Sequence, residues 1–197
     1  MLHKQLQQFI SEACQQGEKV EIFKEEREFA VKHGLFPNNI EAVTEKDPVF
    51  RFADAYIERC DKESENLLAN ETATFLNQPI TYLKKHQNEF IYVESNWFEL
   101  IGVEAVSLEV DDVFGTYDVM LGLRLQKKYG EAVKEQLKSV LAGDSGNFEL
   151  MFSSEDGLWN LNFDLNFVDG FNEGMSLNEA FQLIYRFLFK LVEAMEV

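Results

Sequence analysis

The sequence predicts an α+β fold: a mainly helical part over residues 1–88, followed over 89–197 by a mostly antiparallel sheet in a ββαββα order with its helices on one face. Three observations predict it. Apolar residues recur at helical spacing in the first half, they alternate at period two in the second, and "SLNE" at 176–179 is a capping box ahead of a long apolar helix. With 197 residues and 46% apolar content the chain is long enough to bury a core as a single domain, and no proline-, serine- or glycine-rich tract marks a linker.

The elements follow in order. Leu2, Leu6, Phe9, Ile10 and Ala13 place a helix over 2–16 that stops at Gly17. A second helix covers about 23–33, stops at Gly34 and is followed by a loop at "FPNN". Ala53, Ile57, Cys60, Leu67, Leu68 and Phe75 fit the 3.6 period behind an Asp47–Pro48 start, which predicts the longest helix of the chain over Pro48–Phe75. A short helix over Ile80–Asn88 comes after Pro79.

Strands are expected at 90–95, 103–110 and 113–125, where Val113, Gly115, Tyr117, Val119, Leu121, Leu123 and Leu125 share one side of a pleat. A helical reading of 118–128 is the alternative. A helix over 127–142 ends at "AGDSG", and a hairpin turning at Glu155–Asp156–Gly157 joins the last two strands.

Composition limits function. The 35 acidic and 18 basic residues leave a net charge of −17, which repels phosphate backbones, so no nucleic-acid partner is expected. Cys14 and Cys60 lack any metal-ligand spacing and read as small apolar residues of a reducing compartment. The N-terminus is too polar for a secretory leader, and Arg186 and Lys190 interrupt the longest apolar run, so a cytoplasmic protein without membrane contact is expected.

Phosphate-loop, dinucleotide-binding, nucleophile-elbow and HExxH signatures are missing, and His3, His33 and His86 lie far apart, so neither catalytic residues nor a cofactor are expected. Asp54, Glu58, Asp61 and Glu65 would line one face of the predicted long helix, where Arg51, Arg59 and Lys62 make them a solvated surface. Asp111 and Asp112 sit between two alternating segments, and a two-residue hairpin corner accounts for both. With Glu109 and Asp118 nearby, a Ca²⁺ or Mg²⁺ site is the alternative. In the last strand, Asn160, Asn162, Asp164 and Asn166 form a polar row that reads as a solvated sheet face or as a site for a polar ligand.

"RFADAYIERCDKESENLL" and "DDVFGTYDVMLGLRLQKKY" resemble a small family of uncharacterised acidic bacterial proteins of about this length, over most of the chain. The resemblance brings no known activity. Some members of such families carry a branched-chain aminotransferase label, but the Schiff-base lysine, phosphate loop and pyridine partner of such enzymes have no counterpart among these residues. The expected function is that of a non-catalytic interaction or regulatory protein, with a small-ligand or divalent-cation-binding module as the alternative.

The C-terminal helix, Ser176 to about Met195, is apolar around most of its circumference. Either the amino-terminal helices cover the excess or a second subunit does. The sequence reading favours a homodimer through Phe181, Ile184, Tyr185, Phe187, Leu188 and Phe189.

Overall fold

Period-two alternation becomes seven strands of one antiparallel sheet in the computed structural model, which describes residues 1–15, 19–37, 43–141 and 148–196. The amino-terminal part contributes α1 (Leu2–Gln15), β1 (Val20–Ile22), α2 (Lys24–Lys32) and β2 (Val43–Glu45), the two strands pairing in parallel apart from the main sheet. After a 3-10 turn at Pro48–Phe50 come β3 (Tyr56–Asp61), β4 (Leu67–Glu71), a 3-10 stretch at Ala73–Asn77, α3 (Tyr82–Lys85), β5 (Glu89–Glu94) and α4 (Asn96–Leu100). The remainder is β6 (Val103–Val110), β7 (Tyr117–Leu123), α5 (Gly130–Val140), β8 (Phe148–Ser153), β9 (Leu158–Asp164) and α6 (Leu177–Glu193). The sheet runs β4-β3-β5-β6-β7-β9-β8.

The fold class is α+β, with the predicted ββαββα order from β6 to α6. Residues 118–123 are strand, because Tyr117, Val119, Leu121 and Leu123 all enter the core while Asp118, Met120 and Gly122 face the other way. The expected helix over Pro48–Phe75 is instead a hairpin. Its turn uses no glycine: the Asp61 carboxylate accepts from the backbone and hydroxyl of Ser64, and Glu65 takes a left-handed φ of 56°. Leu67 and Leu68, which had completed the helical period, are 49% and 46% exposed on the edge strand. Asp54, Glu58, Asp61 and Glu65 therefore share no helical face. The expected helix stop at Gly17, the end of "FPNN" and the "AGDSG" terminator fall outside the described residues.

Helix α6 anchors the core. Ser176 accepts from the Glu179 backbone while the Glu179 carboxylate accepts from the Ser176 backbone, the expected capping box. Phe163 of β9 packs at a tilt against Phe187 at 4.8 Å, Phe52 meets Phe181 at 6.1 Å, and Phe29 of α2 meets Phe189 at 6.0 Å. Phe181, Ile184, Tyr185, Phe187, Leu188 and Phe189 are all buried within one chain. That corrects the expected two-fold interface through this helix: the chain's own amino-terminal elements and sheet cover it, at about 1.5–3 kcal/mol per large side chain.

One ionic cluster joins these parts. Arg51, 1% exposed, donates to Glu26 at 2.7 Å and Glu25 at 2.6 Å, and its guanidinium lies 4.1 Å from the Phe23 ring and 3.9 Å from the Tyr185 ring. The Tyr185 hydroxyl also donates to Glu26. Each charge in this water-excluded position has a partner, the condition under which buried ions are tolerated.

Candidate functional site

Alternation sends one set of sheet residues into the core and the other to a face with carboxylates on every central strand. Cross-strand register decides which of these meet. On this face Glu109 of β6 stands beside Asp118 of β7, and Asp118 beside Asp164 of β9. One row further along, Tyr92, Ser107, Met120 and Asn162 are neighbours, and Gly122 pairs with Asn160. The structure thus brings together residues from two separately predicted sets, Glu109 and Asp118 with Asn160, Asn162 and Asp164.

The others leave the row. Asn166 lies in a 3-10 turn beyond the strand and accepts from the Tyr117 backbone N–H at 2.7 Å, so its amide supports the start of β7 and is not part of the polar face. Asp111 and Asp112 are not a two-residue corner: the connection spans residues 111–116 and closes with the Asp111 N–H donating to Thr116 at 2.8 Å and Gly115 at φ 67°. The Asp111 side chain accepts from the Val113 and Phe114 backbone N–H groups, an Asx-type turn. The longer loop carries Val113 and Phe114 to its tip, 80% and 82% exposed, which removes Val113 from the predicted apolar side of the pleat. Asp112 and Glu109 both pair with Lys62, at 3.1 Å and 3.4 Å. Among the described residues no group of three or more His, Cys, Asp or Glu side chains is arranged to hold a metal ion.

Asp118 and Asp164 form a carboxylate pair. Partial burial, then the hydrogen bond and charge of Asp164, push Asp118 up to about 7, with Asp111 and Glu109 adding to the repulsion. Burial also raises Glu109, while Lys62 opposes the shift. Two like charges side by side cannot both ionise cheaply, so Asp118 gives up its proton only around neutral pH.

At the far end of the face, β3, β5, α4 and β6 enclose an acidic cleft of about 450 Å³. Tyr56 and Tyr92 line it together with Asp54, Glu94, Glu99 and Glu104. Arg124 is tied to Glu104, and the Tyr92 hydroxyl donates to Glu94 at 2.7 Å. Burial, then Glu94, raises the Tyr92 hydroxyl above the usual tyrosine range, so it stays a neutral donor. Aromatic faces beside carboxylates suit an ammonium or guanidinium group. The nearby Cys60 thiol is pushed up by burial and by Glu58, which disfavours the reactive thiolate.

The sequence does not reveal this cleft, because the helical period over Pro48–Phe75 places Asp54, Tyr56 and Glu58 on a helix. The available signal was the alternation of "YIERCD", in which Ile57 turns inward while Tyr56 and Glu58 turn outward. The histidines serve packing: His33 stacks on Phe29 at 4.1 Å and meets His3 edge-on, and His86 stacks on Tyr82 at 4.2 Å.

Compared with protein-family models, curated proteins and solved structures, the chain finds no match.

Proposed function

We propose that the protein is a non-catalytic binding module whose working surface is the open face of the sheet, and that it receives a positively charged segment of a partner protein. The observation that carries this reading is the Asp118–Asp164 pair, flanked by Glu109 on the adjacent strand. A face that juxtaposes like charges is held at a cost in stability, and a lysine or arginine placed against it removes that cost. The acidic cleft around Tyr56 and Tyr92 extends the same chemistry along the sheet. A cation arriving at the pair also favours loss of the Asp118 proton, which makes affinity rise with pH through about 7.

The test separates this face from global charge. A lysine- and arginine-containing peptide is titrated into the parent, into the face variant Glu94→Gln/Glu99→Gln/Asp164→Asn, and into the far-side variant Glu12→Gln/Glu28→Gln/Glu135→Gln, which removes the same formal charge. The face variant is expected to lose about tenfold or more in affinity, about 1.4 kcal/mol, with the far-side variant near parental. Equal losses from both variants overturn the proposal.

A further inference from the structure

On the covered side of the molecule, α5 and α6 leave a groove of about 490 Å³ between them. Its floor is a stripe of α6, Leu183, Phe187 and Leu191, spaced four residues apart and so stacked along one line of the helix. Val168 and Val140 add apolar walls, and Val140 remains exposed to solvent. Arg186 and Lys190 line the same groove one turn apart, with Gln136 and a single carboxylate, Asp169, as its other polar side chains. Neither takes part in an ion pair among the described residues, so both cations are available to an anion in the groove. Lys32, by contrast, is tied to Glu193 one turn beyond Lys190, and Arg51, Arg59 and Lys62 are tied to carboxylates of their own.

We propose that this groove binds a single-chain amphiphile with an anionic headgroup, of the long-chain carboxylate class. The tail lies along Leu183, Phe187 and Leu191, and the headgroup is held by Arg186 and Lys190. The volume falls in the range of small-ligand sites, at about 300–1,000 Å³, and the combination of apolar floor and a few convergent polar groups is the usual composition of such sites. Charge complementarity selects the headgroup: two cations against the one carboxylate of Asp169 leave the groove net positive, which repels a cationic headgroup, whereas a carboxylate receives charge-assisted hydrogen bonds from Arg186 and Lys190. The site is on a different face from the acidic sheet and stands or falls independently of it.

Dodecanoate is titrated into the ¹⁵N-labelled full chain below its micelle-forming concentration, with dodecyltrimethylammonium as the charge-reversed control. Saturable shift changes centred on Leu183, Arg186, Phe187 and Lys190 are expected with the carboxylate and not with the cation. Arg186→Gln/Lys190→Gln is expected to weaken binding by about tenfold or more, and Val140→Trp, at an exposed position of α5, to block the groove while the melting temperature is kept. Equal binding of both detergents, shifts centred elsewhere, no saturable binding, or a folded Arg186→Gln/Lys190→Gln variant that binds like the parent would each overturn the assignment.

Discussion

Replacing Asp118 by Asn tests the carboxylate pair directly, because the amide keeps the shape and the hydrogen bond to Asp164 while removing the titrating proton. In the folded chain Asp118 holds its proton up to about 7, against an ordinary aspartate value of 3.8. Between those two pH values the native state binds more protons than the unfolded state, so stability falls as pH rises and levels off above about 7. The full interval converts to about 4 kcal/mol, but Asp118 is only half-buried and water screens the repulsion, which reduces the expected cost to about 1 kcal/mol. Asp118→Asn should therefore raise the melting temperature by about 2–4 °C at pH 8, with the gain shrinking steadily toward pH 4. Thermal or urea unfolding of both proteins across that range reads the effect. A pH-independent offset, or a variant less stable than the parent at pH 8, refutes the repulsion on which the functional reading rests.

Other substitutions probe the framework. Arg51→Ala leaves Glu26 buried beside Tyr185 without its cation, at a cost of about 3–5 kcal/mol in urea unfolding; a loss below about 1 kcal/mol would mean that the cluster is not water-excluded. Asp111→Ala removes the acceptor for two loop N–H groups and should cost about 1 kcal/mol, whereas Asp112→Ala, which loses only an exposed pairing with Lys62, should fall within about 0.5 kcal/mol of the parent in the same assay. Gly130→Ala places a Cβ within 2.4 Å of the Trp159 ring, so the overpacking cost of about 1–3 kcal/mol should exceed the helix-propensity gain and lower the midpoint.

What the sequence displayed and what it hid have physical causes. The strands from β6 onward were legible because the sheet is covered on one side only: Leu161 and Phe163 are buried while Asn160 and Asn162 are exposed, so alternation survives in the residue types. Helix α6 was legible from its capping box, but its partners were not, since an apolar circumference does not say what covers it. The β3–β4 hairpin was concealed because its turn is built on Asp61 and a left-handed Glu65 instead of a glycine, and its edge strand exposes two leucines that happened to complete a helical period. The polar row was visible within β9 but not across strands. That Glu109, Asp118 and Asp164 are neighbours depends on pairing β6 with β7 and β7 with β9, information that no single segment contains.

The charge of the open face bears on self-association as well as on a partner. An uncovered sheet face with Tyr92, Met120 and Leu158 among its residues offers apolar surface that two uncharged copies of it would share. Glu109, Asp118 and Asp164 sit among those residues, and stacking two such faces would bring carboxylates against carboxylates at reduced solvent exposure, a costly arrangement. A basic segment meets the same apolar residues with the opposite sign of charge, so repulsion against a second copy and attraction toward a cationic partner come from the same side chains. The two effects respond oppositely to salt. Screening weakens the heterologous attraction and relaxes the homologous repulsion, so raising ionic strength should release a bound basic peptide while allowing weak self-association of the parent to grow in light scattering. Release without growth would leave the repulsive half of this account unsupported, and growth that Asp118→Asn/Asp164→Asn does not reproduce at low salt would place the self-association on another surface.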